Sequence, residues 1–162
     1  KMSNVPFDCR YSKILEKNPR EIVLLRGNGC KWRRCRFCDY HLDFCLDEKE
    51  NFLLNRQVIE QITGEFGRLE VINSGSFCDL GKETISLILE TCMTKQINTL
   101  YFECHWMHRE LIADFRKKFT DAGITVKMKI GVETFVKEIY PLYKDDDRVD
   151  ILLNNTDFGV GV

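Results

Sequence analysis

Apolar residues recur along this chain in two alternating patterns. Short, nearly continuous runs have the length and the β-branched or aromatic content of buried strands. These runs are 21–25, 69–73, 99–104 and 124–130. Longer stretches place apolar residues every three or four positions, which is the spacing of an amphipathic helix. These stretches are 55–66, 82–95 and 110–122, and the last is followed by Gly123, a residue that commonly ends a helix.

Single helices between successive strands predict right-handed βαβ units and a parallel sheet, and therefore an α/β fold. Parallel sheets of this kind bind ligands at the carboxyl ends of their strands. Each predicted strand here ends in a polar or glycine-containing cluster. We therefore expect the functional site at that edge of the sheet.

The last strand of the series contains two lysines at alternate positions. Lys127 and Lys129 fall on one face of that strand, and Met128 falls on the other. Two ammonium groups on the inner face of a barrel are costly unless a carboxylate or a substrate pairs with them. We therefore expect such a partner opposite these lysines.

The regular alternation of strands and helices ends after Thr134. A helix-like stretch, 136–143, leads through an acidic turn to an apolar run at 149–153, and the tail that follows has the composition of a surface loop. The step from Phe135 to Val136 joins a strand end to a helix with no turn between them. We expect a segment to be absent from the chain at that step.

The domain organisation follows from length and from this break. A chain of 162 residues is most simply one domain with a single core. We expect an N-terminal extension over 1–20, four βα steps over 21–134, and a C-terminal helix, strand and tail over 136–162.

Composition narrows the classes of function. The chain is 44% hydrophobic and 30% charged, which is typical of a soluble globular protein. A net charge of -1 gives no global basic field for nucleic acid, although a local basic patch surrounds the cysteine loop. No apolar run is long enough to span a membrane. Four of the eight cysteines are scattered through the predicted core, which favours a reducing compartment and a cytoplasmic location.

Three cysteines lie close together directly after the first predicted strand, in the pattern Cys30-x4-Cys35-x2-Cys38. An odd number of close cysteines argues against disulfides. Two interpretations remain open. His41 completes a Cys3His zinc site, which would make the chain a non-enzymatic zinc-binding module. Alternatively, the three cysteines hold three irons of a [4Fe–4S] cluster and leave the fourth iron to a non-protein ligand.

The cysteine loop resembles the cluster-binding loop of the radical S-adenosylmethionine (SAM) superfamily, whose usual spacing is C-x3-C-x2-C. Cys35-Arg-Phe-Cys38 matches its C-x-aromatic-C half, whereas the first gap is one residue longer here. The resemblance extends over 21–134 and implies a partial (βα) barrel with a [4Fe–4S] cluster on Cys30, Cys35 and Cys38. It also implies that SAM chelates the open iron and is cleaved reductively to a 5′-deoxyadenosyl radical, which abstracts hydrogen from a substrate.

The resemblance assigns possible cofactor contacts to the ends of the other strands. A short polar segment after the second strand would face the amino group of SAM, strand-end glutamates would bind its amine or ribose, and an aromatic residue of the cysteine loop would lie near the adenine. These residues are Asn73, Ser74, Gly75, Ser76, Glu103, Glu133 and Phe37. The alternatives are a plain turn for the polar segment, solvated carboxylates for the glutamates, and packing of the loop for Phe37.

Four phrases of the sequence are similar to the small queuine lyases of queuosine salvage, which cut queuine to release 7-aminomethyl-7-deazaguanine. They are the cysteine loop, VINSGSF, YFECHWMHRE and NNTDFGVG. This similarity implies a lyase acting on a queuine-like base. His105, His108 and Arg109 follow the third strand closely enough to touch a substrate; we favour His105, and the alternative for the other two is the start of a helix. The similarity also implies that Asp157, with Asn154 or Asn155, pairs with the donor edge of the deazaguanine.

Such an enzyme needs an electron donor such as flavodoxin or ferredoxin. The alternative within the same superfamily is a tRNA-modifying enzyme, which the near-neutral charge disfavours.

Overall fold

One five-stranded sheet organises the chain in the computed structural model, which describes residues 5–35 and 38–131. Its strands are β1 (Tyr11–Ile14), β2 (Arg20–Leu25), β3 (Arg68–Asn73), β4 (Thr99–Glu103) and β5 (Thr125–Lys129). They lie side by side in chain order, and β2 to β5 are parallel. The predicted parallel strands are thus confirmed. The antiparallel edge strand β1 lies within the stretch that the sequence suggested was an extension.

Three α-helices connect the parallel strands. They are α1 (Glu48–Ile59), α2 (Lys82–Thr94) and α3 (Ile112–Thr120). Short 3-10 turns occupy Phe7–Arg10, Tyr40–Leu42, Phe77–Asp79 and Trp106–Leu111. This arrangement confirms the predicted α/β fold of the partial (βα) barrel type. None of the described helices has the length and apolar character needed to cross a membrane.

The first helix begins and ends seven residues earlier than the predicted stretch, 55–66. Asp47 caps its start, because the carboxylate accepts hydrogen bonds from the amides of Lys49 and Glu50 at 2.8 and 3.3 Å. Two asparagines, Asn51 and Asn55, occupy its buried side. Polar residues on the buried face therefore hid the first half of this helix from the hydrophobic pattern.

The third predicted helix, 110–122, divides into a 3-10 turn and α3 in the structure. Its end is as predicted. Gly123 has a φ of +78°, and the amide of Ile124 reaches back to the carbonyl of Phe119 at 2.9 Å while that of Gly123 bonds to Thr120. These two bonds form a Schellman motif, in which glycine supplies the left-handed residue.

The hydrophobic core lies between the sheet and the helices. Alternate strand residues point into it, among them Val23, Leu25, Leu69, Val71, Leu100, Phe102 and Val126. Phe102 meets α3 through Phe115 and Phe119, with ring centroids 4.9 and 5.8 Å apart. This packing fixes the carboxyl ends of the strands, and with them the loops that carry the polar clusters.

The opposite face of the sheet carries a group of charged residues among apolar ones. Glu70 is 2% exposed, and its carboxylate accepts hydrogen bonds from Nε of Arg20 and Nζ of Lys129. The ammonium of Lys127 stands 5.7 Å from the ring centroid of Tyr101. Lys127 and Lys129 thus share a face as predicted, and Lys129 has the expected carboxylate partner. The expected break at Phe135 and the elements expected over 136–162 lie outside the described residues.

Candidate functional site

Three loops meet at the carboxyl edge of the parallel strands. The cysteine loop follows β2, one turn follows β3, and another follows β4. The amide of Asn28 donates to the carbonyl of Asp79 at 3.1 Å, which joins the first loop to the second. The amide of His105 donates to the hydroxyl of Ser76 at 2.7 Å, which joins the third loop to the second. The structure therefore brings together the strand-end clusters that the sequence indicated.

The cysteine loop presents three half-buried thiols, at Cys30, Cys35 and Cys38. The amide of Cys38 donates to the carbonyl of Cys35 at 3.3 Å, which folds the C-x2-C half into a turn. Thiols therefore remain available as ligands at the end of β2.

Close backbone packing holds the base of this loop. A Cβ placed on Gly27 would lie 2.5 Å from the carbonyl oxygen of Asp79, so only glycine permits this approach. The far end of the loop returns to the same point, because Phe44 forms a bridge with Gly27 and the amide of Cys45 donates to the Gly27 carbonyl. Both ends of the cysteine loop are thereby fixed to the sheet.

Two asparagines of α1 hold the entry and the exit of the loop. The amide side chain of Asn55 bonds to both the N–H and the C=O of Arg26, at 2.8 Å each. Asn51 accepts from Nε of Arg26 at 2.8 Å and donates to the carbonyl of Cys45 at 2.7 Å. The sequence analysis missed both residues. The sequence feature that could have indicated them is a pair of polar residues four positions apart on an otherwise apolar helix face.

A buried ion pair braces the loop from the other side. Arg10 is 2% exposed and Asp43 is 4% exposed, and the guanidinium donates to both carboxylate oxygens, at 2.8 and 3.2 Å. Ser74 donates its hydroxyl to the carbonyl of Asp43. The N-terminal segment, the cysteine loop and the segment after β3 are therefore connected through Asp43.

The structure shows how the loop accommodates the additional residue between Cys30 and Cys35. Arg33 has a φ of +52°, its Nε donates to the carbonyl of Cys30 at 2.8 Å, and its guanidinium lies 4.9 Å from the ring centroid of Phe44. The ring of Trp32 packs on that of His105, with centroids 4.9 Å apart. The additional residue is thus accommodated by one left-handed residue and by contacts on both sides of the loop.

His41, the fourth ligand of the zinc interpretation, lies beside the loop. Its Nδ1 is 2.8 Å from the carbonyl oxygen of Cys38. Within the described part of the chain, His41 and the loop cysteines do not form a set of ligand atoms within 4.8 Å of one another. A tetrahedral zinc site with Zn–S bonds of about 2.3 Å needs its sulfurs closer than that, at about 3.8 Å. The observed geometry is more open than a closed zinc site.

The segment after β3 is buried and tightly bonded. Asn73, Ser74 and Ser76 are each at most 2% exposed, and Asn73 donates its side-chain amide to the carbonyl of Ser76 at 3.0 Å. The two hydroxyls already have partners, Asp43 for Ser74 and the His105 amide for Ser76. Among the described residues, nothing donates to the buried Oδ1 of Asn73. That oxygen is available to a bound donor.

Asp79 is a residue of this turn that the sequence analysis missed. Its Oδ2 accepts a hydrogen bond from the amide of Ser76 at 2.8 Å. The signal was present, because Ser76-Phe-Cys-Asp79 matches the S-x-x-D pattern of a helix start. The neighbouring Cys78 is exposed overall, but burial of its thiol, together with the charge of Asp79, raises the pKa of Cys78 to about 11.

Glu103 ends β4 at the same edge and is half-buried. Burial raises the pKa of this carboxyl; nearby Lys129 opposes the shift and Glu70 adds to it. Lys129 is its partner in the register of β4 and β5. Bringing a cation close to Glu103 would offset its desolvation, so the site suits a positively charged ligand.

His105 stands where the loops meet. Its Nδ1 accepts a hydrogen bond from the amide of Met107 at 3.2 Å. A neutral imidazole that accepts at Nδ1 carries its proton on Nε2, so this side chain presents an N–H donor. The positions of five other predicted site residues, Phe37, Glu133, Asn154, Asn155 and Asp157, lie outside the described residues.

The residues present fit an iron–sulfur cluster with a bound cationic ligand. The thiols of Cys30, Cys35 and Cys38 can hold three irons of a [4Fe–4S] cluster and leave the fourth iron open. Gly75, which has a φ of +144°, approaches so closely that a Cβ there would lie 3.2 Å from the Cα of Cys30. The unpartnered Oδ1 of Asn73 and the carboxylate of Glu103 supply acceptors for an ammonium group.

Comparison with known proteins gives one relevant similarity. The chain is similar to the solved structure of a queuine lyase from Clostridium spiroforme bound to SAM and queuine, with 44% sequence identity and a TM-score of 0.79. The alignment covers 89% of this chain, and this chain spans 64% of the length of that enzyme. No protein-family model matches, and no curated protein matches. The predicted resemblance to queuine lyases is confirmed.

Proposed function

We propose that this chain acts as a radical SAM queuine lyase, which cleaves queuine and releases 7-aminomethyl-7-deazaguanine. The observation that supports this proposal most strongly is the 44% identity to a queuine lyase bound to SAM and queuine, over 89% of this chain.

Cys30, Cys35 and Cys38 would hold the [4Fe–4S] cluster through their thiolates. When bound, the cluster and SAM supply the one-electron cleavage of the sulfonium and the 5′-deoxyadenosyl radical that takes hydrogen from the substrate. The protein's part is placement and exclusion of water. The bonds of Asn51, Asn55 and the Arg10–Asp43 pair to the loop and its ends serve that placement.

The segment after β3 receives the amino group of SAM in this proposal. Asn73 offers its buried Oδ1, and Gly75 allows the backbone to come close to the cluster loop. Ser74 and Ser76 act through the backbone that their hydroxyls fix, since both hydroxyls are bonded within the protein. Glu103 accepts from the SAM amine or ribose. The proposed SAM contacts also include Phe37 near the adenine and Glu133 at the amine or ribose.

The base lies on the inner face of the sheet in this proposal. His105 offers an Nε2–H donor beside the cysteine loop, and the Trp32 ring holds its imidazole in place. Asp157, with Asn154 or Asn155, reads the donor edge of the deazaguanine. Fixed polar groups suit such a base because a ligand lacking the matching donors leaves them unsatisfied.

Electrons come from a small acidic reductant of the flavodoxin or ferredoxin class in this proposal. Lys31, Arg33 and Arg34 are exposed on the cysteine loop and give it a positive surface. Electrostatic attraction would bring an acidic donor to the edge where the cluster is held. In this proposal the enzyme works in the reducing environment of the cytoplasm, which suits four cysteines scattered through the sheet and helices and the turns beside them, and it acts on a small molecule away from any membrane.

Anaerobic turnover of the reconstituted full chain tests the proposal. With SAM, a chemical reductant and queuine, we expect 5′-deoxyadenosine and 7-aminomethyl-7-deazaguanine to form together. Cys38→Ala should abolish both products and the iron content, whereas Cys9→Ser, at an exposed cysteine outside the loop, should leave both unchanged.

Three results would each count against the proposal. A colourless protein with one zinc per chain would favour the zinc-binding module. Release of 5′-deoxyadenosine that depends on tRNA and not on queuine would favour a tRNA-modifying enzyme. Cleavage of SAM that is indifferent to queuine would remove the proposed substrate.

A further inference from the structure

Three metal-binding side chains outside the cysteine loop converge next to it. The Sγ of Cys78, a carboxylate oxygen of Asp79 and a ring nitrogen of His108 all lie within 4.8 Å of one another. Cys78 and Asp79 belong to the turn after β3, and His108 belongs to the turn after β4. Two separate loops therefore bring sulfur, oxygen and nitrogen donors to one point.

Asp79 provides a second, independent sign of a ligand. The residue is 4% exposed, and its Oδ2 already accepts from the amide of Ser76. Its Oδ1 is buried and has no hydrogen-bond partner in the part of the chain that the structure describes. A buried carboxylate oxygen without a partner is costly. A cation bound between Asp79 and its two neighbours would remove that cost.

We propose that Cys78, Asp79 and His108 bind one divalent metal ion of the zinc class, separate from the cluster on the cysteine loop. Thiolate, imidazole and carboxylate are the three protein ligands that zinc prefers, and the thiolate disfavours magnesium and calcium. Ligand atoms within 4.8 Å need only small side-chain rotations to surround an ion at bond lengths of about 2.0–2.3 Å. Three protein ligands leave a fourth position for water or a small ligand.

The position of this site indicates what the ion does. The carbonyl of Asp79 receives the amide of Asn28 at the base of the cysteine loop, and its carboxylate faces Gly75. An ion held by Asp79 and His108 would therefore tie the turn after β4 to the turn that supports the cysteine loop. It acts as a structural link beside the cluster and does not require the cluster to be present.

Zinc content of the full chain tests the proposal. The cluster is first reconstituted anaerobically, and the protein is then equilibrated with zinc chloride, desalted and analysed for zinc and iron. We expect one zinc per chain in addition to the cluster iron. Cys78→Ser and His108→Gln should each weaken zinc binding by more than the roughly 10- to 100-fold that loss of an outer-shell partner costs, with no change in iron. Cys9→Ser is the matched control, since it removes a thiol outside the site.

A variant without the loop cysteines separates zinc binding at this site from zinc binding at the cysteine loop. The triple variant Cys30→Ala, Cys35→Ala, Cys38→Ala should lose its iron and still bind one zinc. Zinc that disappears in the triple variant and persists in Cys78→Ser would overturn the proposal, because the ion would then belong to the loop. Equal zinc binding by wild type and His108→Gln, both folded by circular dichroism, would overturn it as well. His108 is only half-buried, so His108→Gln should leave the fold intact.

Discussion

The backbone of Gly75 packs directly against that of Cys30. A Cβ on Gly75 would lie 3.2 Å from the Cα of Cys30 and 2.4 Å from Oδ2 of Asp79. Gly75 also has a φ of +144°, a conformation that is essentially restricted to glycine. This contact joins the segment after β3 to the first cysteine of the loop, and it makes the position of Cys30 depend on a residue distant in sequence.

Replacing Gly75 by alanine should therefore displace the cysteine loop. We expect Gly75→Ala to destabilise the fold by about 1–3 kcal/mol, because the backbone is strained and the Cβ meets a carboxylate that cannot move freely. We also expect lower iron content after reconstitution. Thermal unfolding and iron analysis measure the two effects.

Gly81→Ala is the matched control for that substitution. Gly81 has a φ of −62°, and a Cβ there would meet only the side chain of Glu48, at 3.9 Å. Its cost should stay near or below roughly 1 kcal/mol, the range for a helix N-cap change. Equal effects of Gly75→Ala and Gly81→Ala on stability and iron content would contradict the role given to Gly75.

The Arg10–Asp43 pair should contribute strongly to stability. Both groups are almost fully buried and doubly hydrogen-bonded. Removing one partner of such a pair leaves an uncompensated buried charge, so Arg10→Met should cost about 3–5 kcal/mol. Urea denaturation measures this value. The exposed pair Lys117–Asp121 is the control, and Lys117→Met should cost far less than Arg10→Met, because solvent screens an exposed ion pair. A similar cost for the two variants would show that burial of Arg10 does not matter.

Glu103 should make the folded protein less stable as the pH rises, which is the opposite of the usual effect of a carboxyl group. Burial raises the pKa of Glu103 in the folded protein above its ordinary value of 4.5. The folded state then holds the proton more tightly than the unfolded chain. The contribution of Glu103 is therefore fully present below pH 4.5 and is lost as the pH rises through the raised pKa.

Denaturation of wild type and Glu103→Gln across this pH range isolates that contribution. The stability of wild type relative to the variant should fall as the pH rises. Glu70→Gln provides the opposite case, because hydrogen bonds from Lys129 and Arg20 outweigh burial and lower the pKa of Glu70. Its contribution should be present above pH 4.5 and be lost as the pH falls through the lowered pKa. The same slope for both variants would refute the assignment for Glu103.

His41 distinguishes the two interpretations of the cysteine loop. Its Nδ1 lies against the carbonyl of Cys38, and we expect it to support the loop without binding metal. His41→Ala should therefore keep the iron and sulfide content of wild type after reconstitution. Cys38→Ala, which removes a proposed ligand in the same turn, should lose both. Loss of metal from His41→Ala to the same extent would restore the Cys3His zinc site.

The hydrophobic pattern predicted the parallel strands, because a short, nearly continuous apolar run is a local property of the sequence. It placed α1 incorrectly for the same reason. The buried side of that helix carries Asn51 and Asn55, whose hydrogen bonds to Arg26 and Cys45 exist only once the loop has folded back. Polar residues that are buried by long-range partners give no apolar signal.

By itself, the sequence determined the βα order and the three-cysteine motif after β2, since apolar runs, helical spacing and ligand spacing are properties of residues close together in the chain. Only the tertiary structure decided how the loops at the sheet edge fit together. It placed Gly75 against Cys30, buried Arg10 with Asp43, and brought His108 to Cys78 and Asp79. Each of these contacts joins residues far apart in the chain. Parallel strands carry their following loops to one common edge, and the antiparallel pairing of β1 with β2 brings Arg10 to the same edge.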